Sequence, residues 1–347
     1  MRIRYAIVAA LVTALVLVIT GSSFGSQDAS TPSETKGRFH SLFQSVRPGP
    51  RRAAHFPGQQ GDVSNAEQVG KLNSPVAYDF VSIDYSVAPE TIFDGINDHG
   101  WIAGWFNFTP ASSPAGDTPV VYRDGVFQVI NIPGAMGGRA ISINKKGKVV
   151  GAYEVASGNK YGFDEHGFEW IDGKLTTIDF PGSILTGLQG INDSDQIAGT
   201  YLDASGDEHA FLLSGGAFTT LDFPGAGGVT SALGINNLGE IVGEYNDAGG
   251  IYHGFLYSGG NFTSIDFPGA VLTAAAGIND KGEIAGWYDD ANRTGHGFTM
   301  SAGSFTSVDP PGATDVFLVG VNNKGRTVGA ARDTQGEYHS LLATPSK

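Results

Sequence analysis

The sequence predicts an all-β protein: a six-bladed β-propeller of four-stranded antiparallel blades, its ring closed by a strand from the N-terminal side. Three observations predict it. A short phrase returns six times, each interval between phrases holds four strand-like runs, and the repeat is permuted at the chain ends. The phrase reads Gly95-Ile96-Asn97-Asp98, Ser142-Ile143-Asn144-Lys145, Gly190-Ile191-Asn192-Asp193, Gly234-Ile235-Asn236-Asn237, Gly277-Ile278-Asn279-Asp280 and Gly320-Val321-Asn322-Asn323. The Asn-to-Asn steps of 47, 48, 44, 43 and 43 residues match architectures that build one supersecondary unit per repeat.

The chain opens with Arg2 and Arg4 before an apolar stretch from Ala6 to Ile19, then small residues to Gly25. That pattern reads as a secretory signal peptide over residues 1–25, cleaved near Gly25, and the apolar run is short for a membrane span. Residues 26–77, rich in Ser, Pro, Gly, Arg and Gln, read as a flexible leader. The propeller is assigned to 78–347. The chain has no cysteine, so neither a disulfide framework nor a lipid-anchoring thiol enters the reading, and the protein is expected to be secreted, extracellular or periplasmic.

Within one unit, Thr230 to Asn236, Glu240 to Tyr245, Tyr252 to Tyr257 and Asn261 to Phe267 are four runs of β-branched and aromatic residues punctuated by Gly, Asn and Asp. Asn236-Asn237-Leu238-Gly239 reads as a type I turn joining the first pair, and Ser258-Gly259-Gly260 as the tight turn of the second. Phe267-Pro268-Gly269-Ala270 places Pro and Gly as a type II turn requires. The Asp of each Ile-Asp-x-Pro-Gly phrase is read as the cap of that turn.

The chain ends decide between an open solenoid and a ring. The Ile-Asp strand follows five of the six Asn cores but is missing after the sixth. Its copy stands ahead of the first core, as Tyr78-Asp79-Phe80-Val81-Ser82-Ile83-Asp84. A strand at about 78–84 completing the last blade explains the permutation and leaves only short, protected edges. It also makes the Ala- and Gly-rich run before each Asn the innermost strand. The longest loops, 107–118 and 156–165, then lie on the face opposite the Asn turns.

The formal charge of −14 is uneven, since residues from 78 onward carry 13 basic and 31 acidic residues, a net of −18. Such a field argues against nucleic acid and anionic membrane as partners and is compatible with glycans, cations or a basic protein.

The combination of His209-Ala210-Phe211, His253-Gly254-Phe255 and His296-Gly297-Phe298 with the Phe-Thr-x-Ile/Val/Leu-Asp-x-Pro-Gly strands and Gly-Ile-Asn cores resembles the extracellular HAF repeats of secreted bacterial proteins. The resemblance runs from 78 to 344, departing at Pro119-Val120-Val121 in the first unit and His339-Ser340-Leu341 in the last. It implies a repeat-built domain outside a bacterial cell and brings no catalytic residues with it.

Residues that recur belong to the scaffold, whereas a site must be unique. His166, His209, His253, His296 and His339 share one repeat position and read as strand-end hydrogen-bonding groups rather than metal ligands. Asp203, Asp247, Asp290 and Asp333 read as turn residues, calcium at Asp289-Asp290-Ala291-Asn292 being the alternative. No nucleophile elbow, zinc-protease, phosphate-loop or sialidase box is present. The expectation is therefore a monomeric, non-enzymatic binding module without cofactor, recognising a glycan or surface protein through Phe108, Tyr161, Phe163 and Asp164 on the loop-rich face. A structural spacer and a polysaccharide hydrolase or lyase are the alternatives.

Overall fold

The structure is a computed structural model that describes residues 77–85, 88, 90–107, 116–159 and 162–346. The expected signal peptide and the leader up to residue 76 lie outside the described residues. All regular structure among the described residues is β-strand. Three sheets hold four consecutive strands in sequence order, the one from the unit parsed above being Thr230–Ile235, Ile241–Asn246, Tyr252–Ser258 and Asn261–Ile265. An eight-stranded sheet consists of two such antiparallel sets, joined by one parallel contact between Leu185 and Glu165. The last sheet is permuted: Tyr78–Val81 pairs antiparallel with Tyr338–Pro345, which is followed by Thr327–Arg332 and Asp315–Val321.

The strand from the N-terminal side is shorter than the expected 78–84, because side chains take over its pairing beyond Val81. Ile83 donates its amide to Ser340 Oγ (2.9 Å), and Ser340 donates its own to Asp84 Oδ1 (3.0 Å). Asp84 thus occupies the position that Asp266 holds in the unit parsed above.

The turns follow the local chemistry. Gly259 and Gly260 both take positive φ (58° and 84°), the geometry of a two-residue hairpin turn matched to strand twist. Ser183 donates to the Phe180 carbonyl (3.2 Å) across Pro181-Gly182, with Gly182 at φ 80°. The Asp is not the cap of this turn, contrary to the sequence reading. Thr186 Oγ1 accepts the Phe180 amide (3.0 Å), and Thr273 does the same for Phe267. The Asp is engaged elsewhere, with the recurring His.

The phenylalanine of the His-Ala-Phe phrase fills the core of its sheet: Phe168, Phe211, Phe255 and Phe298 are buried. Each needs a glycine on the second strand, since a Cβ on Gly199 would stand 2.6 Å from the Phe211 ring. Near the rim, Phe180, Phe223 and Phe267 stack face to face on Tyr201, Tyr245 and Tyr288, at 3.7, 3.5 and 3.6 Å.

The core asparagines do more than turn the chain. Asn279 accepts at Oδ1 from the amides of Lys281 and Glu283, both at 3.0 Å. Its Nδ2 donates to the carbonyl of the next core asparagine, Asn322 (2.9 Å). The same bond runs from Asn97 to Asn144, Asn144 to Asn192, Asn192 to Asn236 and Asn236 to Asn279, and Asn322 donates back to Asn97 (3.0 Å). Six side chains thus form one hydrogen-bonded circuit. Close approach of neighbouring innermost strands is what Gly95 and its counterparts permit, since a Cβ there would lie 2.6 Å from the Ile141 carbonyl oxygen.

Candidate functional site

Each innermost strand carries one β-bulge immediately before its Gly-Ile-Asn or equivalent phrase, placing a single unpaired residue at Asp94, Ile141, Gln189, Leu233, Ala276 and Val319. A bulge re-aims its side chain. These six residues, together with the asparagine turns that follow them, line one cavity of about 110 Å³. Four of the six are apolar, so Asp94 and Gln189 break the pattern that the rest obey.

Gln189 is only 4% exposed, and among the described residues its amide makes no hydrogen bond. Asp94 keeps partial exposure. Burial pushes its carboxyl up to about 7, against the opposing pull of the Arg139 guanidinium and a hydrogen bond from Trp105, while Asp117 pushes it further up. Arg139 is 2% exposed, stacks over Trp105 at 4.5 Å and is salt-bridged to Asp117. Glu154, near the same guanidinium, is likewise raised to about 7 by burial.

Around the mouth stand the residues that follow each core asparagine: Asp98, Lys145, Asp193, Asn237, Asp280 and Asn323. Five backbone amides here donate to the side chain of the neighbouring unit, as from Asn323 to Asp98, Asp280 to Asn323 and Lys145 to Asp193. The sixth link would run from Asp98 to Lys145, which offers no acceptor. This second circuit is broken at that one point, and Lys145 Nζ turns to Asp193 (3.1 Å).

The loop-face candidates fare differently. Phe108 and Tyr161 lie outside the described residues. Phe163 is 5% exposed and packs on Leu185 and Leu202, so its ring is rim packing and offers no free face. Asp164 is half-buried and accepts from Asn159 Nδ2 (2.8 Å). Sequence reasoning missed Asp94 and Gln189, although the comparison of the position before each Gly-Ile-Asn phrase would have singled them out.

The recurring histidines are scaffold. His166, His209, His253 and His296 place Nδ1 within 2.7 to 3.1 Å of Asp179, Asp222, Asp266 and Asp309, which lie just past the end of the fourth strand of their own unit. His339 makes the equivalent bond to Asp84 (3.0 Å), across the permutation. Asp203 and its counterparts accept turn amides through Oδ1, as in Asp290 with Asn292 and Thr294, and face the His Nε2 with the other oxygen. Among the described residues no group of three or more His, Asp or Glu has an arrangement suited to a metal ion.

One further buried group breaks the repeat. Glu244 is fully buried with neither carboxylate oxygen hydrogen-bonded, and burial with the neighbouring Glu208 charge pushes its carboxyl up to about 8. Glu208 in turn accepts from Ser231 Oγ.

No family model matches the chain, and no curated protein matches it. Solved structures do. The SapL1 lectin in complex with alpha methyl fucoside is 13% identical with a TM-score of 0.50, over 75% of this chain and 95% of that one. The β-propeller domain of the Trilobed protease from Pyrococcus furiosus is 10% identical with a TM-score of 0.45, over 74% and 96%. A mutant of AofleA from Arthrobotrys oligospora is 13% identical with a TM-score of 0.47, over 81% and 88%. At such identities the likeness concerns the fold alone. The chain is all-β, built from four-stranded antiparallel arrays, and its structural neighbours are β-propellers.

Proposed function

We propose that this chain is a secreted six-bladed propeller of the HAF-repeat kind, closed by its N-terminal strand, that works without a cofactor as an extracellular binding module for a glycan or surface protein. Closure is supported by the pairing of Tyr78–Val81 with Tyr338–Pro345 and by the asparagine circuit that returns from Asn322 to Asn97. The binding site is that cavity, the axial well of the ring. A single observation carries that assignment: the cavity is lined at two of six equivalent bulges by polar groups, one of them Gln189, whose side-chain amide bonds no protein group among the described residues. The Gln189 amide faces the cavity, so a ligand there meets a free donor and acceptor. The lectin neighbour is compatible with such a role and specifies nothing about this chain's ligand.

The test is a glycan array together with capture of surface proteins, run with the wild type and with Gln189→Leu, which installs the residue found at 233. Binding that is lost in Gln189→Leu supports the reading. Absence of binding to every glycan and protein would favour the spacer alternative, and turnover of a polysaccharide would favour the hydrolase or lyase.

A second surface is proposed around the segments read from the sequence as loops, 107–118 and 156–165, which break the repeat in neighbouring units, although Asn107, Asp117, Thr118, Ala156 and Phe163 to Glu165 belong to strands. There Phe108→Ala combined with Tyr161→Ala is expected to weaken a bound ligand by roughly 1–3 kcal/mol with an unchanged melting temperature. Unchanged binding would remove this surface from the account.

A further inference from the structure

We propose that the axial well receives a protonated primary amine on a short aliphatic stem, the ammonium meeting Asp94 and Gln189 and the stem lying against Ile141, Leu233, Ala276 and Val319. This inference rests on the reading of the well as the binding site and names the chemistry it takes.

Size comes first. The open well holds about 110 Å³, a volume that suits a slim aliphatic stem. The wall is mixed in the way an alkylammonium requires, with four aliphatic bulge residues and two polar ones. Gln189 Oε1 is an acceptor without a donor, since its amide is 4% exposed and makes no hydrogen bond among the described residues. An ammonium supplies three donors and a hydroxyl only one.

Charge decides the sign. At the mouth Asp98, Asp193 and Asp280 face a single cation, Lys145, whose ammonium is taken by Asp193. Asp94, which lines the well, shares a single guanidinium, Arg139, with Asp117 and Glu154, and Arg139 is bound to Asp117. In both sets carboxylates outnumber cations three to one, which repels an anion and leaves a neutral ligand no counter-charge to offer Asp94. The same groups fix the pH dependence. Burial raises the Asp94 carboxyl to about 7, with Arg139 and Trp105 pulling it down and Asp117 pushing it up, so amine binding strengthens from pH 6 to pH 8 as that carboxyl ionises.

Two sources present this chemistry, a free diamine and a lysine side chain. The experiment follows the Gln189 side-chain amide by NMR in the full chain during titration with 1,4-diaminobutane, 1,4-butanediol, a Gly-Lys-Gly peptide and its Nζ-acetylated form. Diaminobutane is expected to shift that signal and to bind at least about tenfold tighter than butanediol, as a charge-assisted bond does, with the difference abolished in Asp94→Asn. Binding of Gly-Lys-Gly but not its acetylated form points to a lysine side chain, and binding of diaminobutane without the peptide points to a free diamine. Either outcome supports the proposal. Equal binding of butanediol and diaminobutane overturns the amine assignment and leaves the well as a site. If no probe shifts Gln189, and glycan or protein binding is also indifferent to Gln189→Leu, the amine and the well fall together.

Discussion

A core asparagine shows how much a single residue carries. Asn279 closes its own turn through Oδ1 and reaches the next unit through Nδ2. Asn279→Ala is expected to cost roughly 2–4 kcal/mol in denaturant unfolding, the sum of several modest bonds with two turn amides left unpaired. The turn was legible in the sequence from the Asn-to-Gly spacing. The second bond was not, because its acceptor lies 43 residues along the chain and no local pattern records it. Gln189 escaped for a related reason: strand alternation does not reveal which residue a bulge turns toward the cavity. Ala302 offers a test of the opposite sign. It sits at φ 49°, where Gly215 and Gly259 occupy the corresponding turns, and Ala302→Gly is expected to raise stability by about 0.5–1 kcal/mol by relieving a left-handed backbone.

At the scale of elements, the pairing of third and fourth strands depends on a His–Asp bond in five units, and the fifth joins the two ends of the chain. Burial opposes the charge on His339, but its bond to Asp84 and the charges of Asp84, Asp333 and Glu337 outweigh it and raise its pKa. A histidine raised in the folded state contributes stability that is fully present below its unfolded value of about 6.5 and is lost as pH rises through the folded value. Melting temperatures of wild type and His339→Phe should therefore converge between neutral and alkaline pH, and a constant gap would contradict the latch. Glu244, also raised, has the same sign of pH dependence. Its carboxyl, at about 8 when folded, binds more protons in the folded chain than in the unfolded one, so stability falls as pH rises from the ordinary carboxyl range toward 8. Glu244→Gln is expected to remove its share of that decline and to be the more stable protein at pH 8 by more than about 1 kcal/mol. The His position was readable as scaffold because it recurs, whereas Glu244 was passed over because burial on a second strand is invisible without the neighbouring sheet.

For the whole molecule, the strand copy ahead of the first core was legible as a permuted repeat, since counting needs no geometry. The loop residues were not placed by counting: Phe163 lies in a strand, Phe163–Ile171, and its ring is packed. Deleting residues 78–84 is expected to leave Tyr338–Pro345 as an unpaired edge and to lower the melting temperature with aggregation, whereas deleting 26–70 should leave melting unchanged. Equal effects would argue against closure of the ring. The central claim is that recurring residues hold the fold and the departures at the axis form the site. The most direct measurement titrates wild type and Gln189→Leu with the ligand that wild type binds and records melting in the same samples. The account predicts a variant that melts at or above wild type and binds at least about tenfold more weakly; unchanged binding at unchanged stability would contradict it.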